Sequence, residues 1–180
     1  MQFLTRLKVG ASLHIYCEME IEELSKRVAY ALMDKKLTLC TAEECTCGLV
    51  GASIASQDYA QRWYKGGIVT YTELEASKIF DIEPRTILKC DFVSAQVTQQ
   101  MAMSALNLFE TNVAVVVVGY VDKIEDSDAN SIQICVGKTI GGTTSFKYKK
   151  LNVNESSKGE NIEVAIKEAL RMTLEHIIEN

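Results

Sequence analysis

The sequence feature that most constrains the fold is an unbroken apolar run, VAVVVV, at residues 113–118. A strand with one face in water alternates polar and apolar residues, and this run has no alternation. It is also far too short to cross a bilayer, which takes about 20 apolar residues. The run predicts a central strand buried on both faces. Helices must then cover both faces, so the chain is predicted to be a three-layer α/β/α protein.

The rest of the chain supplies helices and strands in alternation. Apolar residues at helical spacing predict long helices over 19–36 (inner Ile21, Leu24, Val28, Ala31, Leu32), 95–109 (inner Val97, Met101, Ala105, Leu108) and near the C-terminus (inner Ile162, Ile166, Ala169, Leu170, Thr173, Leu174, Ile177). Shorter helices are predicted over 43–56, over 73–80 and from Pro84. Strands are predicted over 37–42 and 66–71, with a hairpin over 132–151 that turns at Gly141–Gly142 and is followed by a polar linker at 152–160. The prediction is a mixed sheet of about five strands in one domain, 19–180, preceded by an irregular arm at 1–18.

Charge and cysteine content limit the classes of function. The chain has 24 acidic residues against 19 Lys and Arg, a net charge of −5, so no nucleic acid is predicted as a partner. Arg6 and Lys8 interrupt any apolar leader, and no membrane partner is predicted. The six cysteines have no disulfide-scaffold spacing, which favours reduced thiols and a soluble, cytoplasmic protein.

The segment TAEECTCG, residues 41–48, joins a predicted strand to a predicted helix and carries two carboxylates and two cysteines. Cys45 and Cys47 are separated by one residue rather than the two to four of zinc knuckles, and the only histidines are His14 and His176. Core cysteines are favoured over a metal or redox site, so no metal and no cofactor are predicted.

Two other features leave alternatives open. The acidic loop at 122–128 could hold a divalent cation, but it lacks the alternating ligands and central glycine of a calcium loop, which favours a solvated loop. Trp63 and Tyr64 could stack on a base, although aromatic residues just before a strand more often pack in a core or between subunits.

Four segments in order carry a family resemblance: TAEECTCGLV (41–50), KGGIVTYTELEA (65–76), CDFVS with VTQQMAMSAL (90–106), and VGYVDK (118–123). From about Glu20 to the C-terminus the chain resembles the C-terminal domain of the competence/damage-inducible CinA proteins, whose characterised members are nicotinamide mononucleotide deamidases. The resemblance implies a mixed five-stranded sheet with helices on both sides, and self-association into a homo-oligomer.

The family activity implied by the resemblance is cleavage of a carboxamide, with release of ammonia, by a serine that a lysine and a tyrosine activate. A serine nucleophile needs a base to take its proton. In the ungapped register the serine position is Glu44, the lysine position is Ala76, and only the tyrosine is matched, by Tyr71. A two-residue shift to Lys78 would turn the side chain by about 200° on a helix, so it does not restore the lysine.

The resemblance places a ligand pocket around the turn and the end of the central strand, at Thr41, Glu44, Thr46, Tyr71 and Gly119. Glu43 and Glu44 are predicted to cap the following helix and to repel a phosphate there. The prediction is therefore a divergent family member that lacks the deamidase activity and acts as a binding or interaction protein, with a small molecule in the remnant pocket. The alternative is an amidohydrolase of pyridine-nucleotide salvage with a rearranged site around Glu44, Thr46 and Tyr71.

Overall fold

The computed structural model describes residues 19–122, 131–152 and 157–179. The predicted arm at 1–18, most of the acidic loop, and part of the predicted linker lie outside the described residues. The elements in chain order are α1 (Ile21–Lys35), β1 (Leu39–Glu43), α2 (Leu49–Ala55), a 3₁₀ turn (Ala60–Arg62), β2 (Tyr64–Val69), α3 (Glu73–Ile79), α4 (Pro84–Cys90), α5 (Ala95–Phe109), β3 (Val113–Gly119), β4 (Ser131–Ile140), β5 (Thr143–Asn152) and α6 (Lys158–Ile178).

The strands form one five-stranded mixed sheet in the order β2-β1-β3-β4-β5. β1 runs parallel to β2 and to β3, whereas β3–β4 and β4–β5 are antiparallel. β3 lies in the middle, and all of its residues are buried, as its unbroken apolar run predicts. The three-layer α/β/α fold with a mixed sheet of five strands is confirmed.

Alternate side chains of β3 enter two apolar cores on opposite faces of the sheet. Val113, Val115 and Val117 belong to the core beneath α1, α2 and α6. Ala114, Val116 and Val118 belong to the core beneath α3, α4 and α5. Successive strand residues point to opposite faces, so one apolar strand supports both helical layers. No helix among the described residues is long and apolar enough to cross a membrane.

The inner faces of the long helices largely follow the predicted stripes, with one clear error. Leu108 of α5 was predicted to face the sheet but is 57% exposed, while Leu106 is buried. The buried stripe is centred between residues 105 and 106, so at about 100° per residue Phe109 returns to the sheet rather than Leu108. Ser94 caps α5 as predicted, since its hydroxyl accepts a bond from the Val97 N–H.

The predicted helix over 43–56 begins too early. α2 starts only at Leu49, and residues 44–48 form turns. Cys47 (φ 51°) and Gly48 (φ 89°) both adopt left-handed conformations, which a right-handed helix cannot contain. Glu44 and Thr46 therefore lie in a turn rather than on a helix.

The C-terminal part of the chain is close to prediction. Gly141 and Gly142 both have positive φ and make the tight turn of the β4–β5 hairpin. α6 begins at Lys158, inside the predicted linker, because Ser157 and Glu160 form a capping box there. Most of the predicted inner residues of α6 are buried, and Ile162 is half-buried.

Candidate functional site

A cleft of about 260 Å³ lies where β1 and β3 end side by side. The crevice outside the carboxyl ends of parallel strands is where open α/β sheets bind ligands. The cleft is lined by Glu44, Cys45, Tyr71, Gly119, Tyr120, Val121, Asp122 and Lys158. A larger groove, about 780 Å³, lies between α1 and the region after α2, but it holds none of the predicted site residues. The smaller cleft is therefore the candidate site.

Glu44 joins the turn after β1 to the end of β3. Its Oε2 accepts a hydrogen bond from the Gly119 N–H at 2.9 Å, and its own backbone N–H donates to the Val117 carbonyl at 2.9 Å. Burial raises the pKa of this carboxyl above its usual value, the Gly119 bond lowers it, and the nearby charge of Glu73 raises it further. Glu44 thus binds the end of β3, and the prediction that it caps the helix is wrong.

Glu43 has the capping role that was predicted for both carboxylates. It is 1% exposed, and its Oε2 accepts bonds from the Thr46 hydroxyl at 2.7 Å and the Val50 N–H at 3.0 Å. Its Oε1 accepts a bond from the Gly51 N–H at 2.8 Å. The carboxylate therefore occupies the N–H groups at the start of α2, as the helix dipole favours.

Of the five predicted pocket residues, Glu44, Tyr71 and Gly119 come together in the cleft. Thr41 lies instead in a separate depression under α2, where its hydroxyl is hydrogen-bonded to that of Tyr64 at 2.9 Å. Thr46 is fully buried and its hydroxyl is bound to Glu43. Neither threonine lines the cleft.

Five residues that line the cleft were not among the predicted pocket residues: Cys45, Tyr120, Val121, Asp122 and Lys158. Tyr120 and Asp122 stand in the quoted VGYVDK segment, so their place beside Gly119 was a usable signal. Lys158 carried no such signal, because α6 brings it to the cleft from a distant part of the chain. Its ammonium bonds to Asp122 at 3.1 Å, and this hydrogen bond raises the pKa of Lys158.

Ala76, which was predicted to stand at the family's lysine position, does not line the cleft. Ala76 is 1% exposed and belongs to the apolar core shared with Phe80 and Phe92. Lys78 has a side chain that is 63% exposed, and it pairs with Glu75 on the surface of α3. Tyr71, by contrast, lines the cleft and is 66% exposed.

The cysteines and aromatic residues discussed above are mostly core. Burial raises the pKa of Cys40 to about 11 and that of Cys135 to about 12, and it also raises the pKa of Cys45. Within the described residues no three His, Cys, Asp or Glu side chains are grouped so as to hold a metal ion. Trp63 is 2% exposed in the core, so the packing interpretation is confirmed for it.

The chain is similar to known proteins over most of its length. The family model for the CinA C-terminal domain matches residues 21–177. A CinA-like protein of Flavobacterium psychrophilum is 30% identical over 161 residues, which are 89% of this chain and 38% of that protein. A Listeria monocytogenes protein named as competence-damage inducible is 32% identical over 143 residues, 77% of this chain and 33% of that protein. The chain spans about a third of the length of these relatives.

A solved structure has the same fold. The competence/damage inducible protein CihA of Agrobacterium tumefaciens matches with a TM-score of 0.80 at 24% identity, covering 88% of this chain and 96% of that one. The match of the family model over residues 21–177 shows the family. The chain belongs to the CinA C-terminal domain family.

Proposed function

We propose that the chain is a family member without nicotinamide mononucleotide deamidase activity that binds a small molecule in the Glu44 cleft. The observation that carries the proposal is the surroundings of Glu44 and Ala76, the residues that the resemblance aligns with the two reacting groups. Glu44, aligned with the serine, has one carboxylate oxygen bonded to Gly119, and Ala76, aligned with the lysine, lies inside an apolar core.

Among the described residues that line the cleft, no other pair replaces the serine and its base. The Thr46 hydroxyl is bonded to Glu43 away from the cleft. Lys158 has a raised pKa beside Asp122, and a lysine acts as a base only when its pKa is lowered. A carboxylate such as Glu44 is a poor nucleophile toward an unactivated amide, since the product would be an anhydride.

The backbone N–H groups that would bind a nucleotide phosphate already have partners. Glu43 accepts from Val50 and Gly51 at the start of α2, and Glu44 accepts from Gly119 at the end of β3. A phosphate binds such N–H groups when they are free. Here a phosphate would have to displace two carboxylates that also repel it, which supports a ligand other than the family's nucleotide.

The alternative function, an amidohydrolase with a rearranged site, is favoured by one observation. Burial raises the pKa of Glu44, and a carboxyl with a raised pKa in a cleft is suited to general acid–base chemistry. In that scheme the Glu44 carboxylate takes a proton from water as the water attacks the amide carbon, and the proton passes to the departing ammonia.

Ammonia release from nicotinamide mononucleotide distinguishes the two functions. We expect the purified chain to release no more ammonia than buffer alone, while a family member with the Ser, Lys and Tyr set gives turnover under the same conditions. Turnover that is lost in Glu44→Gln but kept in Glu83→Gln would support the alternative. Turnover that survives in Glu44→Gln and Tyr71→Phe would contradict both functions, because the reaction would then occur outside the cleft.

A further inference from the structure

The Glu44 carboxylate offers the cleft an unused hydrogen-bond acceptor. Its Oε2 is bonded to Gly119, whereas no donor in the described part of the chain is bonded to its Oε1. Hydrogen bonds in which the donor or the acceptor is ionised are about twice as strong as neutral ones, and the Glu44 carboxylate is half-buried beside the cleft. This oxygen therefore favours a ligand N–H that carries positive charge.

The charges around the cleft also favour a positively charged ligand. Asp122 and Lys158 form an ion pair at the rim, with 3.1 Å between Nζ and Oδ2, so their charges largely cancel. Glu73 of α3 lies near enough to Glu44 and Tyr120 to act on both electrostatically. Among the described residues, the charges of Asp122 and Lys158 largely offset each other, so Glu44 and Glu73 give the cleft a net negative charge.

Two tyrosine rings complete the lining. Tyr71 is exposed and Tyr120 is half-buried, and both border the same cleft as Glu44. An aromatic face attracts an organic cation that lies within about 6 Å of the ring centroid. Calcium, by contrast, requires about six to eight oxygen ligands, which one free carboxylate oxygen and two phenols do not supply.

We infer that the cleft binds a small organic cation that carries at least one N–H group, a primary ammonium or an amidinium, through Glu44 Oε1 and the rings of Tyr71 and Tyr120. The inference rests on the proposed function, because a hydrolase would use Glu44 for proton transfer rather than to hold a cation. The cleft, about 260 Å³, is smaller than sites for drug-sized ligands, which start at about 300 Å³, so the cation is small.

Nuclear magnetic resonance of the ¹⁵N-labelled chain tests this directly, because the Gly119 N–H is bonded to Glu44 and reports on it. The probes are n-butylammonium, uncharged n-butanol, tetramethylammonium (the same charge without an N–H) and inorganic phosphate. The variants are Glu44→Gln, which keeps an acceptor for Gly119, and Tyr71→Leu. Their matched controls are Glu83→Gln, an exposed carboxylate that pairs with no cation in the described part of the chain, and Tyr30→Leu, a tyrosine that is 59% exposed on α1.

We expect n-butylammonium to shift the Gly119 resonance and to bind more tightly than the other three probes. Its affinity should fall by about tenfold or more in Glu44→Gln, as loss of a charged hydrogen bond implies. It should fall by about two- to fivefold in Tyr71→Leu, as loss of one exposed cation–ring contact implies. Both controls should bind like the parent chain.

Three results would overturn the inference: equal binding of n-butanol or tetramethylammonium, an unchanged affinity in Glu44→Gln, or phosphate as the probe that shifts Gly119. Failure of the proposed function is detected separately: it would appear as release of ammonia from nicotinamide mononucleotide. Absence of both ammonia release and butylammonium binding would overturn the cation inference and leave the loss of deamidase activity supported.

Discussion

Glu43 and Glu44 are neighbours in sequence, yet they lie in two regions with different roles. Glu43 points under α2, where the Thr46 hydroxyl and two backbone N–H groups supply bonds to both of its oxygens. Glu44 points to the cleft at the end of β3, where Gly119 supplies one bond. Adjacent residues at the end of a strand leave it in opposite directions, and this separates the two carboxylates.

The difference indicates which carboxylate is structural and which is available to a ligand. A buried carboxylate whose bonds all come from its own chain stabilises a local fold, here the turn and the start of α2. A half-buried carboxylate with an unused oxygen beside a cleft is a candidate binding group. The four predictions below test this distinction, starting with the largest expected effect.

A lysine at position 76, where the resemblance predicts the family's lysine, should damage the fold rather than complete the cleft. Ala76→Lys places an unpaired charge in the apolar core of Phe80 and Phe92, which is expected to lower the free energy of unfolding by about 3–5 kcal/mol. Urea denaturation measures the change. Leu74→Lys is the control, since Leu74 is 61% exposed on the same helix and should change stability by no more than about 0.5 kcal/mol. A stable Ala76→Lys variant would show that position 76 can open to the cleft.

Removing the structural carboxylate should cost almost as much. Glu43→Ala leaves the Thr46 hydroxyl and the N–H groups of Val50 and Gly51 without their acceptor, with an expected loss of about 3 kcal/mol. Hydrogen exchange should show the loss first at the start of α2. If Glu43→Ala and Glu44→Ala lowered stability equally, the contrast between the two carboxylates would be wrong.

The depression under α2 should not tolerate an added methyl group. In Gly67→Ala the new Cβ would lie 2.1 Å from Thr41 Oγ1 and 2.8 Å from the Tyr64 hydroxyl, so both must move, at an expected cost of about 1–3 kcal/mol. Gly159→Ala is the matched control. Its Cβ meets nothing within 4 Å on α6, and it should stabilise the chain by up to about 1 kcal/mol through helix propensity. Thermal unfolding of the two variants measures whether Gly67→Ala lowers the stability and Gly159→Ala raises it.

The smallest effect is a pH dependence at Glu44. Its pKa is raised in the folded state from 4.5, so the folded chain holds this proton more tightly than the unfolded chain. Protonated Glu44 therefore contributes to the stability of the folded state. This contribution is fully present below the pKa of Glu44 in the unfolded chain, and it is lost as pH rises through the pKa in the folded chain. Glu44→Gln should therefore gain stability relative to the parent between pH about 4 and about 7, by less than about 1 kcal/mol.

Chemical denaturation at pH about 4 and at pH about 7 measures the free energy of unfolding of Glu44→Gln and of the parent chain. Glu83→Gln is the control, and its stability should follow that of the parent chain. A relative loss of stability for Glu44→Gln with rising pH would reverse the sign. It would mean that the ionised carboxylate is the form that the fold favours, as it would be if the Gly119 bond outweighed burial.

Much of the fold was predictable because it depends on local patterns. The central strand, the long amphipathic helices and the Gly141–Gly142 hairpin follow from the order of apolar residues and from the conformational freedom of glycine. The start of α2 was not predictable, because Cys47 adopts a left-handed conformation that its residue type does not announce.

The candidate site was only partly predictable. The motifs pointed to Glu44, Tyr71 and Gly119, and these meet in one cleft. They also pointed to Thr41 and Thr46, whose hydroxyls instead bond to Tyr64 and Glu43. Lys158 could not be found from sequence, since its position beside Asp122 depends on how α6 packs across the sheet.

The layers of this protein follow from its amino-acid order alone, because helices and strands that are buried on one face or on both faces place apolar residues at a characteristic spacing. Through the family resemblance, the sequence also predicts that Glu44 and Ala76 stand at the family's serine and lysine positions. The different roles of Glu43, which supports the helix, and Glu44, which faces the cleft, depend on tertiary contacts. That difference depends on where β1 ends, on the left-handed turn at Cys47 and Gly48, and on the N–H group that β3 presents at Gly119. Contacts of this kind join residues far apart in sequence, and no local pattern encodes them.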